Sequence, residues 1–370
     1  MGKLCLIFNT ASHYREAIYR KIDSEYDCDW YFGPKIGDIK EMDYNQLKNV
    51  KRYKTVGNPS KLFIKLGVLS LLFRKEYKTF FMLAENRCLT DWLFIWMAST
   101  FFSNKRIYTW GHTWYGKEPK LQAKFLLWHL KKLTGIFTYG NYARKCIIKR
   151  GINPNKVFVI YNSLHYDEQL TLRQQIKPSN IYKNHFGNNN PVIIVIGRLN
   201  VRKKLPLLID AVAKLKEIGE NYNLVFIGKG EDKEKLEQQS KDAQIINNVW
   251  FYGACYDEKT NAELLTNADL CVLPGDIGLT AIHCLMFGVP AISHNAFQFQ
   301  GPEFEAIKEG VTGSFFEHNN LDSLVEAISR WFAEKKDKRD EVRQACYKEV
   351  DVFWNPYNQI EIIKKNIVVD

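Results

Sequence analysis

The 370-residue sequence lacks most features that would assign it to a special class. Its eight cysteines, Cys5, Cys28, Cys88, Cys146, Cys255, Cys271, Cys284 and Cys346, include no CxxC pair, which argues against a zinc ribbon or a redox dithiol. They are scattered, several inside apolar runs, and read as reduced, mostly buried thiols rather than a disulfide framework. Neither HExxH nor a CxxC–HxxxH zinc pattern occurs, so no metal site is expected. No apolar run reaches the roughly 20 residues that span a bilayer. The longest are Leu62–Phe73, interrupted by Lys65, and Trp92–Phe102. The apolar start, Leu4–Phe8, is too short for the core of a signal peptide. A cytoplasmic protein, or one peripheral on the inner face of the plasma membrane, is therefore expected.

What is present points to an ordinary globular protein of two-domain length, with 46% hydrophobic and 25% charged residues. The net charge of +11 is unevenly spread. Residues 1–180 hold 30 basic and 14 acidic side chains, and residues 181–370 hold 22 and 27. A polyanionic partner should therefore meet the first half.

Strand-like and helix-like segments alternate throughout. Leu4–Phe8, Thr79–Ala84, Arg106–Trp110, Gly135–Tyr139 and Lys156–Tyr161 read as buried strands, with helices across 14–22, 91–101, 120–133 and 142–150. A polar stretch, 171–190, reads as a linker. A second series starts at Val192–Ile196 and runs through Leu224–Ile227, Val249–Tyr252, Leu270–Leu273 and Ala291–Ser293. Continuous apolar strands alternating with helices predict two doubly wound α/β domains, 1–170 and 191–350. A C-terminal helix over 354–368 begins near Pro356. Ligands of such sheets bind outside the carboxyl ends of the strands.

The second half carries the clearest chemical signals. Strand Val192–Ile196 runs into Gly197-Arg198-Leu199-Asn200-Val201-Arg202-Lys203-Lys204, ahead of a helix. A glycine and several cations before a helix N-terminus suit an anion, although such a run is equally a solvated basic loop. Leu270–Pro274 leads into Gly275-Asp276-Ile277-Gly278-Leu279-Thr280-Ala281-Ile282-His283, where free amides at a helix start suit a phosphate. A third loop, Gly301-Pro302-Glu303-Phe304-Glu305, holds carboxylates suited to sugar hydroxyls. Asp27-Cys28-Asp29 forms a DxD, but it lies far from these signals and reads as surface. Gly228-Lys229-Gly230 is too short for a P-loop.

In order, GRLNVRKKLPLLIDA from Gly197, FIGKGEDKEKLE from Phe226, VWFYG from Val249, ADLCVLPGDIGLTAIHCLMFGVPAIS from Ala268 and GPEFEAIKEGVTGSFF from Gly301 resemble GT-B glycosyltransferases of the retaining group 1, family 4-like type. The resemblance implies two Rossmann-like domains facing a central cleft, with acceptor binding in the first and donor binding in the second. It implies that Arg198 and Lys203 hold the donor's diphosphate beside Gly197, and that Lys229 meets the nucleotide. The amides of Gly278, Leu279 and Thr280 would meet phosphate or sugar oxygens, and Glu303 sugar hydroxyls. The family's signature pair of glutamates falls here on Gly275 and His283, neither of them acidic. His283 offers one donor and one acceptor to a ribose, and Asp276 approaches the sugar from the neighbouring position.

On the acceptor side the candidates are His13, Arg15 and His112, with His112 catalytic alongside Arg198 and Lys203. The implied reaction moves a hexosyl or deoxyhexosyl group from a nucleotide-diphosphate donor to a saccharide acceptor. It would proceed with retention, without metal or cofactor, in capsule, O-antigen or similar synthesis. A helix over 60–78, with Lys61, Lys65, Arg74, Lys75 and Lys78 around apolar residues, reads either as a membrane-surface element suited to a lipid-linked acceptor or as a core helix with charged ends. A non-catalytic nucleic-acid- or polyanion-binding protein, or an inactive GT-B member, is the competing reading. No nucleic-acid motif supports the former.

Overall fold

The computed structural model describes residues 2–37, 39–111 and 120–369. The chain forms two compact units, Met1–His165 with Asn355–Asp370, and Tyr166–Trp354.

In the first unit the strands are Lys3–Phe8 (β1), Cys28–Phe32 (β2), Val50–Arg52 (β3), Thr55–Gly57 (β4), Phe63–Lys65 (β5), Tyr77–Met82 (β6), Arg106–Gly111 (β7), Gly135–Thr138 (β8) and Val157–Val159 (β9). Seven of them form a parallel sheet in the order β3-β2-β1-β6-β7-β8-β9, while β4 and β5 pair as a separate antiparallel hairpin. Strand periodicity explains the layering, because alternate side chains point to opposite faces. Cys5, Ile7, Phe80 and Met82 pack with helix Leu89–Phe101 on one face. Leu4, Leu6, Phe8 and Phe81 pack on the other with helices Glu16–Glu25 and Pro356–Asn366. The C-terminal helix is fastened by Ile360 and Ile363 and by Ser163, which donates to Gln359 at 2.6 Å.

The second unit contains Val192–Ile196 (β10), Asn223–Ile227 (β11), Val249–Gly253 (β12), Leu270–Val272 (β13), Ala291–His294 (β14) and Gly313–Phe316 (β15). Their order is β12-β11-β10-β13-β14-β15, and all neighbours are parallel. The expected doubly wound architecture is therefore present in each unit. In each sheet the strand order reverses beside the first strand, between β1 and β6 and between β10 and β13. Such switch points open a crevice at the carboxyl ends of the strands.

Three local expectations differ from the structure. The polar stretch 171–190 is largely helical, Tyr166–Gln175 and Ile181–Phe186, and belongs to the second unit. Arg173 pairs with Asp351 at 2.9 Å and Tyr182 donates to the Leu264 carbonyl at 2.6 Å, so tertiary contacts hold these polar helices in place. Residues 60–78 are not one helix. The segment holds β5, a left-handed Gly67 (φ 79) and a 3-10 helix, Val68–Phe73. Lys65, expected on a charged face, is buried against Asp91 at 2.8 Å and Glu85 at 3.3 Å. Asp29, read as surface, lies buried on β2. It pairs with Lys3 at 2.7 Å and Lys51 at 3.0 Å, and Tyr77 donates to it, so two cations and a hydroxyl compensate its burial.

All eight cysteines are free thiols, six of them buried. Among the described residues no cluster of His, Cys, Asp or Glu is arranged for a metal, and no helix is long and apolar enough to cross a membrane.

Candidate functional site

The residues singled out in the second unit converge on the switch point between β10 and β13. Gly197 follows β10 with φ 142. Its neighbour Gly228, at the end of β11 with φ 156, touches it so closely that a Cβ there would lie 1.8 Å from the Gly197 carbonyl oxygen. A Cβ on Gly230 would lie 2.0 Å from the Leu199 oxygen, and one on Gly275 2.0 Å from the Arg202 oxygen. Glycine is thus required for the three turns to interlock by direct backbone contact. The Leu199 amide donates to the Lys229 carbonyl at 3.0 Å, and the Gly275 amide donates to the Lys203 carbonyl at 2.9 Å. Backbone contacts of this kind place side chains accurately without long connecting groups.

The four cations of the first turn have four different fates. Arg198 is exposed and makes no ion pair or side-chain hydrogen bond among the described residues. Lys203 points inward and donates to the Asp276 carbonyl at 2.5 Å and the Ile277 carbonyl at 3.4 Å. Burial pushes its pKa below that of an ordinary lysine, with Asp276 opposing the shift. Arg202 pairs with the Asp276 carboxylate at 2.8 Å. Lys204 turns away to His318, 2.6 Å between the nitrogens, and to Asn319. Lys229 is exposed on the turn after β11.

Asp276 does not offer a free carboxylate. Its Oδ2 takes Arg202, and its Oδ1 accepts the Gly301 amide at 2.7 Å. Gly301 is where the second and third loops meet, since a Cβ there would approach Glu303 at 2.9 Å, the Gly278 Cα at 3.1 Å and Asp276 at 3.2 Å. Glu303 is buried at this junction. The Ile277 amide is taken by the Gln300 side chain at 2.9 Å. Gly278 adopts the left-handed φ of 53, and the helix that follows is short, Thr280–Met286. The amides of Gly278 and Leu279 have no backbone partner among the described residues. Thr280 donates its hydroxyl to the Ile196 carbonyl at 2.9 Å, tying the helix start to the end of β10.

Among the described residues His283 is engaged on one nitrogen. Its Nε2 lies 2.9 Å from Glu258, which also accepts from Gln169 at 2.7 Å. Burial pushes the Glu258 carboxyl up, but the hydrogen bonds from His283 and Gln169 outweigh it and hold the group below its ordinary range. Glu258, Arg202 and Gln300 were not singled out from sequence. Arg202 lay within a recognised basic run, whereas Glu258 and Gln300 carry no local signal.

In the first unit, Arg15 and His13 sit in the 3-10 turn His13–Arg15 after β1. The His13 and His165 rings lie 5.7 Å apart, and burial and His165 together lower the His13 pKa. Trp110, at the end of β7, is fully buried. His112 lies outside the described residues.

Two parallel, doubly wound α/β units with glycine-built turns at the switch point of the second define the GT-B class. Two solved structures support this across the whole chain. The lipopolysaccharide outer core galactosyltransferase WaaB in its apo form is 17% identical, with TM-score 0.72 over 99% of this chain and 100% of that one. HepE of Anabaena in complex with UDP is 17% identical, with TM-score 0.72 over 99% of each chain. Residues 177–349 match the family model described as glycosyl transferases group 1, so the resemblance carried by the second-half motifs is borne out. An uncharacterised 41.2 kDa protein in the cps region of Klebsiella pneumoniae is 26% identical over 238 residues. That alignment spans 62% of each of the two proteins.

Proposed function

We propose that this chain is a glycosyltransferase that moves a hexosyl or deoxyhexosyl group from a nucleotide-diphosphate donor to a saccharide acceptor in cell-surface polysaccharide synthesis. The observation that carries this reading is the interlocked turn at Gly197, Gly228 and Gly275, with an unpaired Arg198 and an inward Lys203 beside it. The cps location of the Klebsiella relative and the UDP bound to HepE support the setting and the donor class.

In such a transfer, negative charge grows on the leaving diphosphate as the sugar becomes cationic. Fixed donors stabilise that charge most when they are positioned before reaction. Arg198 supplies a fork of N–H groups with no competing partner. Lys203 has three N–H groups and spends two on carbonyls, leaving one for a phosphate oxygen. The amides of Gly278 and Leu279, the start of the helix at Thr280, and Lys229 complete the donor contacts, and Glu303 and Gly197 shape them. His283 offers its Nδ1 to the ribose, with Glu258 fixing the ring. Asp276 serves the site by holding Arg202 and Gly301 rather than as a nucleophile. This agrees with same-face, retaining attack that needs no enzyme carboxylate and no metal. His112, His13 and Arg15 are assigned to the acceptor.

The acceptor is proposed to be lipid-linked, with the first unit resting on the inner face of the plasma membrane. The surface differs from the helix expected over 60–78. Leu89, Leu93 and Trp96 on one helix, Phe125 and Trp128 on another, and Phe73 are all exposed. Segment 54–132 also carries 14 Lys and Arg against four Asp and Glu. Coincident apolar and cationic surplus suits an anionic bilayer. Co-sedimentation with anionic but not neutral vesicles is expected, and weakened binding in L93S/W96S. Equal binding to both vesicle types, or none to anionic vesicles at low salt, overturns it.

Nucleotide release measured with UDP-, GDP- and dTDP-sugars in the presence of EDTA tests the activity. Release with one donor, stimulated by a saccharide, is expected. No release with any donor, together with thermal stabilisation by oligonucleotides but not nucleotides, overturns the reading.

A further inference from the structure

Arg15 differs from the carboxylate-paired cations of the first unit. Lys65 has Asp91 and Glu85, and Lys3 and Lys51 share Asp29. Arg15 has no carboxylate partner among the described residues. The acids of neighbouring segments are taken, Glu16 by Arg20 at 3.8 Å and Glu41 by Arg52 at 3.4 Å. The guanidinium is instead boxed by aromatic groups. Its carbon lies 5.3 Å from the Trp110 ring centre, 5.4 Å from Tyr139 and 5.9 Å from Tyr14. It donates to the Tyr139 hydroxyl and, at 3.5 Å, to that of Tyr19. Its Nε is enclosed and has no hydrogen-bond partner among the described residues. Of five N–H groups, two are therefore used. Rings and neutral hydroxyls orient a cation, but they do not replace the water and counter-ion it gives up.

The position of this box is informative. Arg15 follows β1, Trp110 ends β7 and Tyr139 follows β8, so the box lies at the carboxyl ends of the sheet, where ligands of this architecture bind. The residue as a whole is only partly covered. The paired His13 and His165 rings flank the same turn and add no negative charge.

We propose that this aromatic box is an oxyanion site, and that the acceptor carries a phosphate or carboxylate group which supplies the missing counter-ion of Arg15. Calling the ligand the acceptor rests on the glycosyltransferase reading, whereas the oxyanion site itself does not. A guanidinium with unused N–H groups and no carboxylate costs the free protein stability, which an anionic ligand would return.

Thermal denaturation of the full chain tests this with glucose 1-phosphate, glucuronate and glucose as probes. It is run in the R198A/K203A background so that the second unit's cations do not compete. The midpoint is expected to rise by about 2 °C or more with one or both anions and not with glucose. A response to glucose 1-phosphate alone identifies phosphate, and one to glucuronate alone identifies carboxylate. Arg15→Met should abolish the response, Arg15→Lys should weaken it, and Arg15→Met without ligand should melt at the wild-type temperature or above. The proposal is overturned if neither anion acts, if the response survives in Arg15→Met, or if Arg15→Met alone melts more than about 5 °C lower. UDP stabilisation of the otherwise unaltered chain is measured separately, so failure of the donor reading is distinguishable from failure of this one.

Discussion

The Lys203 ammonium lies 2.5 Å from the Asp276 carbonyl oxygen, while the Asp276 amide donates to the Arg202 carbonyl at 3.3 Å. The turn after β10 and the turn after β13 therefore hold each other through the Lys203 side chain, 73 residues from Asp276, and through a backbone bond. Removing Lys203 should disturb both turns, whereas removing the exposed, unpaired Arg198 should disturb neither.

Arg198→Ala and Lys203→Ala should each lower turnover at least about tenfold, a loss near 1.4 kcal/mol of transition-state stabilisation. Lys203→Ala should also raise the donor KM, because the turn that carries Gly278 loses its anchor. Steady-state kinetics of nucleotide release separates the two effects. Near-wild-type rates in both variants would remove the phosphate-clamp argument.

Gly228→Ala should cost stability by about 2 kcal/mol or more, because its Cβ would fall 1.8 Å from the Gly197 oxygen and its φ is 156. Urea denaturation measures this. Gly67→Ala, at φ 79 with no atom near its would-be Cβ, should be milder, since only backbone strain opposes it.

Lys65 is buried with Asp91, and Asp91 Oδ1 has no hydrogen-bond partner among the described residues. Breaking this pair by Asp91→Ala should destabilise the first unit by about 3 kcal/mol, because the buried ammonium keeps only the more distant Glu85 at 3.3 Å. Replacing both, Lys65→Met with Asp91→Leu, should recover much of that loss. A double-mutant cycle by urea denaturation checks the recovery. Additive losses would show that the pair is not the source of the cost.

His294 is buried, and burial, His318 and Lys204 lower its pKa to about 4 from 6.5. Its Nδ1 accepts the Ala296 amide at 3.2 Å, a bond that protonation abolishes. Between pH 4 and 6.5 the unfolded chain therefore binds more protons at this site than the folded chain. The His294 contribution is full above about pH 6.5 and is lost as pH falls towards 4. His294→Asn keeps an acceptor that does not titrate in this range, so it should flatten the melting temperature's decline over this window. An unchanged slope would assign the acid sensitivity elsewhere.

Much of the architecture was legible because it rests on short-range patterns. Val192–Ile196 and Leu224–Ile227 are continuous apolar runs ended by glycine, and they form β10 and all but the first residue of β11. The order of the second-half motifs identified the turns that meet at the switch point. Strand β2 was not legible, because Asp29 interrupts an aromatic run and its compensation comes from Lys3 and Lys51 on neighbouring strands. The same holds for β5, where Lys65 mimics a solvated face until Asp91 is brought to it. The helices within 171–190 were hidden by their polarity, since they are fixed by Asp351 and Leu264 far along the chain.

The sequence by itself determined the two α/β units and the glycines at the strand ends, because periodicity and backbone freedom act over a few neighbouring residues. It did not determine which charges are free. Arg198, Arg202, Lys203 and Lys204 are near neighbours in one run. Yet among the described residues the first has no ion pair, the second holds a carboxylate, the third caps two carbonyls and the fourth reaches His318. Arg15 and Lys65 are both enclosed cations, yet among the described residues Lys65 has an acid beside it and Arg15 does not. Charge pairing depends on groups brought from distant segments and on the water they exclude, and only the tertiary structure settles that.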